Sequence, residues 1–329
     1  MKISIITPSF NQGQFLEQTI DSVLSQNYPD LEYIIIDGGS TDESVEIIRK
    51  YEKHISYWIS EKDNGQSQAI NKGFALAKGD VINWLNSDDY YLAGALKTVG
   101  AYFEDDQLNV LCAKSQIVRD GKRIKISSGT DIYQEIAKTI GWARIDQPET
   151  FYRKSCIDAI GFLNESLHYV MDKELWMRYL CMYGLSNVKQ TDDILVAFRL
   201  HGSSKTTNQQ ILFEKETNSL FHKLAQEYGL NDAVKEIDKL GISFYISEKE
   251  VFSGLKQDKA VQVLQYFYLQ KAFRLYALND FEECRYFLNH IDVSFISDSD
   301  QFEIQKISDR MKYPVALKKL INWYHQIRR

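Results

Sequence analysis

Short apolar runs alternate with amphipathic segments along the first 100 residues of the chain. The apolar runs that predict buried strands cover residues 3–7, 33–36, 55–59 and 81–85. The segments in which apolar residues recur at helical spacing cover residues 15–24, 44–51 and 66–77. Apolar strands separated by helices are typical of a parallel sheet that is covered on both faces. The pattern therefore predicts an α/β fold for this part of the chain.

Polar residues close three of these predicted strands. Thr7 ends the first strand, Asp37 ends the second, and an Asn-Ser-Asp-Asp turn at residues 86–89 follows the fourth. In parallel sheets, ligands bind beyond the carboxyl ends of the strands, so these side chains are expected to share one site. The acidic turn can supply oxygen ligands to a hard cation, although a solvated turn or a helix cap has the same composition. The order of the polar strand ends favours the site.

Two further segments carry residues suited to chemistry on a hydroxyl or a phosphate. Asp172 stands at the start of a helix predicted from about Lys173 to Tyr183, where a helix cap and a catalytic base are both compatible with a carboxylate. Residues 201–205 place a histidine, two hydroxyls and a lysine in one loop, a set that suits a diphosphate. Lys72, in the third predicted helix, either reaches a phosphate or is simply solvated.

The character of the sequence changes after residue 205. From about residue 210 the pattern is helical and rich in Phe, Tyr, Lys and Glu, so a boundary near residue 207 divides the chain into domains of residues 1–206 and 207–329. Within the second domain, residues 271–291 predict a helical hairpin that turns at Asn279 and Asp280.

The last segment, residues 311–329, combines basic and apolar side chains and contains no acidic residue. That composition is typical of a helix lying on a membrane surface, and a helix packed on its own domain explains it equally well. The basic residues of the segment are Lys312, Lys318, Lys319, Arg328 and Arg329.

Composition and charge exclude several classes of protein. The net charge of −6 over 329 residues argues against a nucleic-acid binder, which would be broadly basic. The four cysteines have no paired spacing, so we expect neither a disulfide framework nor a zinc site, and we expect a reducing cytoplasm. No stretch approaches the roughly 18 apolar residues of a membrane span. The expected location is therefore the cytoplasm, either free or peripherally bound at the inner face of the cytoplasmic membrane.

Six motifs together make the sequence similar to the family 2 glycosyltransferases. They occur in the family's order and comprise residues 5–11, 35–42, 69–73, 84–89, 171–176 and 201–205. The resemblance implies a GT-A fold, here followed by an α-helical C-terminal region, and an inverting transfer of a hexosyl or N-acetylhexosaminyl group. It also implies a nucleotide-diphosphate sugar donor (UDP most often), a Mn²⁺ or Mg²⁺ cofactor, and a saccharide or lipid-linked saccharide acceptor in cell-surface glycan synthesis. For residues 207–329 it leaves acceptor handling, self-association and membrane docking open.

The resemblance assigns roles to individual residues. Asp172 takes the place of the general base, and Asp88 takes that of the metal ligand. Two positions depart from the family pattern: Asn86 replaces the first acid of the Asp-x-Asp motif, and Ile70 stands where many relatives carry arginine. The residues that the resemblance implies around the nucleotide sugar are Thr7, Pro8, Phe10, Asp37, Asp63, Lys72, Asn86, Ser87, Asp88, Asp89, His201, Ser204 and Lys205.

Two other functions are compatible with a nucleotide-binding sheet. A sugar nucleotidyltransferase would carry a glycine-rich first turn with a basic residue, and residues 7–13 contain no basic residue. A non-catalytic nucleotide-sugar-binding module would not need both Asp88 and Asp172. The sequence therefore favours a glycosyltransferase over both alternatives.

Overall fold

The computed structural model describes residues 1–142, 144–202, 204–205, 209–242 and 252–327. The strands of the described sheet are β1 (Ile3–Ser9), β2 (Leu31–Asp37), β3 (Tyr57–Ser60), β4 (Val81–Trp84), β5 (Tyr90–Tyr91), β6 (Val110–Arg119), β7 (Lys122–Ile126), β8 (Thr150–Arg153) and β9 (Val188–Leu200). The described α-helices are α1 (Gly13–Leu24), α2 (Ser44–Tyr51), α3 (Gln66–Leu76), α4 (Ala95–Tyr102), α5 (Ile136–Trp142), α6 (Lys154–Ile160), α7 (Met171–Tyr183), α8 (Gln210–Glu227), α9 (Asn231–Lys239), α10 (Gln257–Ala277), α11 (Phe281–Asn289), α12 (Asp298–Met311) and α13 (Val315–Ile327).

The strand order is β3-β2-β1-β4-β8-β6-β9-β5, with β7 paired to β6. The half formed by β3, β2, β1 and β4 is parallel, as the apolar runs predict. Every residue of β1 is buried, and so is every residue of β2 after the first. Ser9 pairs with Asp37 and Ile6 pairs with Trp84, so β1, β2 and β4 end side by side. The polar residues that follow these strands therefore meet at one edge of the sheet.

The other half of the sheet mixes strand directions. β8 is antiparallel to both β4 and β6, whereas β9 is parallel to β6. The short strand β5 is antiparallel to β9, with Tyr90 opposite Ala197 and Tyr91 opposite Val196. β5 directly follows the acidic turn after β4, and β9 leads into the loop at 201–205. This short ladder therefore brings the acidic turn and the loop together.

Hydrophobic clusters cover the two faces of the sheet. Ile34 and Ile36 of β2 belong to one cluster, and Tyr33 and Ile35 belong to the other, because alternate residues of a strand point to opposite faces. The first cluster continues through α7 into the C-terminal helices as far as Met311. The C-terminal helices thus share a core with the sheet.

The predicted helical hairpin is confirmed. α10 ends at Ala277, Asn279 adopts a positive φ of 65°, and α11 begins at Phe281. The side chain of Asp280 accepts a hydrogen bond from the backbone N–H of Glu283 at 3.2 Å, which caps the second helix.

Other boundaries agree closely with the sequence. α2 spans the residues that the pattern predicts, and α7 begins at Met171, slightly before the predicted start. The domain boundary predicted near residue 207 falls on residues 206–208, which lie outside the described residues. All four cysteines are buried and none forms a disulfide. Within the described ranges, no helix is both long enough and apolar enough to cross a bilayer.

Candidate active site

The loops after β1 and β2 are joined by hydrogen bonds at the carboxyl edge of the sheet. The backbone N–H of Asn11 donates to Oγ of Ser40 at 2.8 Å, and Oδ1 of Asn11 accepts from the backbone N–H of Thr41 at 2.8 Å. Asn11 has a positive φ of 51°, a conformation that asparagine tolerates better than most residues. The two loops therefore form one rigid rim.

Thr7, Pro8 and Phe10 precede this rim in the chain and differ in their burial. Thr7 is buried, and its hydroxyl lies 3.1 Å from the hydroxyl of Tyr33. Pro8 is buried in β1, whereas the ring of Phe10 is 59% exposed. An exposed ring beside a rigid loop can stack on a planar base.

The carboxylate of Asp37 is fully buried and holds the turn after β2. Its Oδ2 accepts hydrogen bonds from the backbone N–H groups of Gly39 (3.1 Å) and Ser40 (2.8 Å) and from Oγ of Ser60 (2.6 Å). Its Oδ1 accepts from Oγ of Ser40 at 2.5 Å. The side chain thus shapes the turn whether or not it also contacts a ligand.

Asp63 and Lys72 lie next to the same turn. Oδ1 of Asp63 accepts from the backbone N–H of Gly65 at 2.9 Å. A Cβ atom at Gly38 would come within 2.8 Å of the other carboxylate oxygen of Asp63, so a larger residue there would displace this side chain. The ammonium group of Lys72 is paired with Glu61 at 2.7 Å, so it is held at the end of β3.

Two neighbouring helices anchor the acidic turn. The hydroxyl of Thr19 in α1 lies 2.8 Å from the carbonyl oxygen of Ser87 and 2.7 Å from that of Asp89. Oδ1 of Asn86 accepts from Nε2 of Gln66 in α3 at 2.8 Å. With its amide oxygen engaged in this way, Asn86 acts here as a link between the turn and α3.

Asp88 and His201 meet at the centre of the edge. Oδ2 of Asp88 lies 2.9 Å from Nε2 of His201, and the Asp88 side chain remains 25% exposed. The His201 ring packs on Phe15 of α1, with the ring centroids 4.5 Å apart. The structure thus joins the predicted metal ligand to the loop predicted for a diphosphate. Ser203 of that loop lies outside the described residues.

Lys205 and Ser204 complete this cluster. Nζ of Lys205 donates to Oε1 of Gln66 at 3.1 Å and to the backbone carbonyl of His168 at 3.2 Å. Oγ of Ser204 accepts from the backbone N–H of His201 at 3.0 Å. Burial lowers the pKa of Lys205, while the carboxylates of Glu216 and Asp88 counteract that shift. A cation and an imidazole are therefore held near a partly exposed carboxylate.

Asp172 occupies the first turn of α7, and its Oδ1 accepts from the backbone N–H of Lys173 at 2.8 Å. Burial raises the pKa of Asp172 to about 6. Glu174 is buried and paired with Arg178 at 2.7 Å. Its carboxylate is therefore committed to an internal ion pair, whereas Asp172 can still exchange a proton near neutral pH.

A sequence profile described as glycosyl transferase family 2 matches residues 4–157, which carry the turns at Asp37 and Asp88. Residues 4–157 belong to glycosyl transferase family 2. An uncharacterized glycosyltransferase of Rickettsia typhi is 26% identical over 243 residues, 67% of this chain and 70% of the relative. An uncharacterized glycosyltransferase of Mycobacterium tuberculosis is 42% identical over 90 residues, 27% of this chain and 34% of the relative.

Solved structures of glycosyltransferases share the fold of this chain. TarS of S. aureus, residues 1–349 in complex with UDP-GlcNAc, superposes with a TM-score of 0.60 at 16% identity and covers 98% of this chain and 89% of that one. The chain spans 54% of a longer TarS structure. The mannosyltransferase PcManGT from Pyrobaculum calidifontis, in complex with GDP-Man and Mn²⁺, has a TM-score of 0.55 at 14% identity and covers 98% and 84% of the two chains. The predicted GT-A fold with C-terminal helices is confirmed.

Arg199, beside the acidic turn, was not identified from the sequence. Its guanidinium group lies over the rings of Phe15 (4.6 Å) and Tyr90 (5.2 Å) and donates to Oε1 of Gln18 at 2.6 Å. Its backbone N–H donates to Oδ1 of Asp89 at 2.8 Å. Burial and the neighbouring Asp88 raise the pKa of Asp89 well above its usual range. An arginine two residues before the predicted loop was the available signal.

Glu149 is a second residue that the sequence analysis did not identify. It is buried directly before β8, and its Oε1 accepts from Oγ of Ser127 at 3.2 Å. Its other oxygen has no hydrogen-bond partner in the described part of the chain. Burial and the charge of Asp146 raise its pKa to about 8. The signal for it is a Gln-Pro-Glu-Thr stretch at 147–150, polar residues leading into a buried strand.

The residues at the carboxyl edge of the sheet fit a divalent cation whose remaining ligands come from a bound substrate. Among the described residues, no group of three or more His, Cys, Asp or Glu side chains is placed to hold an ion alone. Asp88 and His201 nevertheless present one carboxylate and one imidazole side by side. Mn²⁺ accepts both ligand types and Mg²⁺ prefers oxygen, and both ions commonly complete their shells with substrate phosphates.

Proposed function

We propose that the chain is an inverting glycosyltransferase that moves a hexosyl or N-acetylhexosaminyl group from a UDP-sugar to a hydroxyl of a saccharide or lipid-linked saccharide. The product would belong to a cell-surface glycan. The observation that carries the proposal is the Asp88–His201 contact at the carboxyl edge of a nucleotide-binding sheet. UDP-GlcNAc bound to TarS, which has the same fold, supports the choice of nucleotide.

We infer that the nucleoside lies in the rim formed after β1 and β2. Phe10 supplies a ring for the base, and Thr7, Pro8, Asp37 and Asp63 define the walls. The remaining donor contacts in the proposal, from the sugar to the diphosphate, are Lys72, Asn86, Ser87, Asp88, Asp89, His201, Ser204 and Lys205. Lys205 and His201 lie where they can offset the charge of two phosphates.

Asp88 and His201 would hold the Mn²⁺ or Mg²⁺ ion in this proposal. When bound, the ion supplies positive charge that stabilises the diphosphate as it leaves. Mn²⁺ in the structure of the mannosyltransferase PcManGT supports metal use by this fold.

Asp172 is the base of the proposed reaction. A bond forms between the acceptor oxygen and the anomeric carbon while the bond from that carbon to the diphosphate breaks. The attack comes from the face opposite the diphosphate, which inverts the configuration. The hydroxyl proton passes to Asp172, whose pKa of about 6 leaves it mostly deprotonated at neutral pH yet basic enough to accept.

An assay of nucleoside diphosphate release tests the proposal. Purified protein is incubated with a panel of UDP- and GDP-sugars, with Mn²⁺, with Mg²⁺ or with a chelator, and with saccharide acceptors. We expect metal-dependent release of UDP and a product of inverted anomeric configuration by NMR. Neither release nor thermal stabilisation by any member of the panel would overturn the proposal.

We also propose that α13 docks on an anionic membrane surface. The usual placement of side chains is reversed in this helix. Its polar Lys318 and Asn322 are only 5% and 6% exposed, whereas its apolar Leu320 and Trp323 are 57% and 58% exposed. Nζ of Lys318 lies 4.3 Å from the ring centroid of Phe281, which stabilises the charge inside.

The positive charge around the exposed face of α13 is complementary to an anionic membrane surface. Lys312 and Lys319 are exposed next to the apolar residues, and residues 311–329 contain no acidic side chain. Basic residues near a surface of anionic lipids are each attracted by about 1 kcal/mol, while exposed tryptophan favours the lipid interface. Arg328 and Arg329 lie outside the described residues.

A further inference from the structure

A cluster of cations lies where three helices converge beside Asp172. Lys173 follows Asp172 at the start of α7, and Lys271 and Arg274 are neighbours one turn apart on α10. α8 lies between them and provides Glu214, which pairs with Arg274. Among the described residues, the carboxylates that face these three cations are those of Glu214 and Asp172, so the cluster carries more positive than negative charge.

Burial of the two lysines in this cluster disfavours their charged forms. Nζ of Lys173 donates to Oγ1 of Thr217 at 3.3 Å, and burial lowers the pKa of Lys173 to about 8. Burial also lowers the pKa of Lys271 to about 8, and the charges of Arg274 and Lys173 add to that effect. Like charges brought together in a poorly solvated place destabilise the free protein, and an added anion relieves that repulsion.

Lys271 is the most informative member of the cluster. It is only 7% exposed, and its ammonium group has no hydrogen-bond partner among the residues that the structure describes. Its nearest ring is that of Phe267, at 5.6 Å from Nζ to the centroid. A largely buried lysine for which no protein acceptor lies within hydrogen-bond distance in the described part of the chain can donate to an anionic ligand.

The cluster is open to solvent and adjoins the proposed active site. The side chains of Arg274 and Glu214 are 36% and 38% exposed, so they form its mouth. Phe213, next to Glu214, packs on Tyr169 at 5.3 Å, and Lys205 lies 5.7 Å above the same Tyr169 ring. The side chains of Tyr169 and Phe213 thus lie between Lys205 and the residue that pairs with Arg274.

We propose that Lys173, Lys271 and Arg274 form a subsite for a phosphate group of the acceptor, which binds there while its hydroxyl faces Asp172. The proposal rests on the proposed function, since it names the acceptor's chemical class. Donors from two different helices suit the tetrahedral set of phosphate oxygens better than the two coplanar oxygens of a carboxylate. The three cations and the two carboxylates leave a net charge of about +1, which would balance the single negative charge of a phosphodiester.

Calorimetry on the full chain tests the subsite with inorganic phosphate as the probe. Saturating UDP and Mn²⁺ are present so that the diphosphate cluster is already filled. We expect phosphate to bind the parent protein and Lys271→Met to weaken that binding by about tenfold or more, because a charge-assisted contact is lost. Arg274→Gln should weaken it similarly, and the exposed lysine change Lys235→Met is the matched control.

Stability separates a binding role from a structural one. Removing an unpaired buried cation should leave the melting temperature of Lys271→Met equal to or above that of the parent protein. Phosphate affinity that stays unchanged in both Lys271→Met and Arg274→Gln would overturn the subsite, and so would acetate binding as tightly as phosphate. If the parent protein binds UDP and releases it from a UDP-sugar in either case, the proposed function stands independently.

Discussion

The imidazole Nε2 of His201 lies 2.9 Å from the carboxylate Oδ2 of Asp88, although the two residues are 113 positions apart in the chain. We expect Asp88→Ala and His201→Ala each to weaken Mn²⁺-dependent binding of UDP by about tenfold or more, since each removes a charged or ligating group. Asp88 is partly exposed, so the fold should survive its loss. Calorimetry with UDP in the presence and absence of Mn²⁺ measures the effect. Asp232→Ala, at a fully exposed carboxylate, is the control, and unchanged affinity in the Asp88 variant would remove the metal assignment.

Asp172→Asn should keep UDP and metal binding near the parent values but slow sugar transfer by about 100-fold or more, because the amide cannot accept the acceptor's proton. Turnover at saturating donor and acceptor measures this. Glu174→Gln should affect transfer far less, yet it breaks a buried pair with Arg178 and should lower the free energy of unfolding by about 3 kcal/mol or more. Near-normal transfer by Asp172→Asn would place the base elsewhere.

The pH profile of transfer provides a separate test of the same residue. Asp172 must be deprotonated to act, and its pKa of about 6 means that the active form is lost as the pH falls through that value. Well below it, kcat should decrease by about tenfold per pH unit. The acid limb should be absent from the residual activity of Asp172→Asn. A profile that is flat down to about pH 5 would contradict a base of this pKa.

Asp37→Ala should weaken UDP binding by roughly 1.5–3 kcal/mol, the scale for the loss of a charged hydrogen bond. The structure adds a second effect, because the carboxylate accepts hydrogen bonds from Gly39, Ser40 and Ser60. Leaving those donors unpaired should lower the free energy of unfolding by about 1–3 kcal/mol or more. Urea denaturation and calorimetry, done on one preparation, report both quantities. If Asp37→Ala lost turnover but kept full affinity for UDP, Asp37 would have a catalytic role and not the binding role proposed for it.

Trp323→Glu should reduce sedimentation of the protein with anionic liposomes, because it places a negative charge in the exposed apolar face of α13. Phe302→Glu, at an exposed ring on α12, is the matched control. Neutral liposomes should bind both forms weakly, since the basic residues then find no anionic partner. Equal sedimentation of both variants with the parent protein would remove membrane docking from the proposal.

The parallel half of the sheet and its polar edge were predictable because local patterns determine them. Continuous apolar runs define β1, β2 and β4, and each is followed directly by a polar turn that the sequence predicts to belong to the site. The pairing of Asp88 with His201 could not be predicted from local patterns. It depends on the pairing of β9 with β5, and the sequence of neither segment indicates which residues of the two strands pair.

Lys271 and Glu149 were missed for a related reason. Lys271 lies within a helix rich in aromatic residues, where a lysine is usually expected to be solvated, and its burial depends on how the neighbouring helices pack against α10. Glu149 sits in an irregular segment between α5 and β8, so its depth depends on how the neighbouring strands close over it. Burial of isolated charged residues is a tertiary property.

The pairing of β5 with β9 also affects the stage of folding at which the candidate site forms. The rim that joins Asn11 to Ser40 spans a separation of 29 residues, whereas the contact of Asp88 with His201 spans 113. Contacts of long separation incur a larger loop-closure entropy before they gain stability, and they form late. A nascent chain that ends before residue 201 can form the nucleoside rim without the Asp88–His201 pair. In the proposed enzyme, metal-dependent nucleotide affinity should therefore return later on refolding than the Asn11–Ser40 rim.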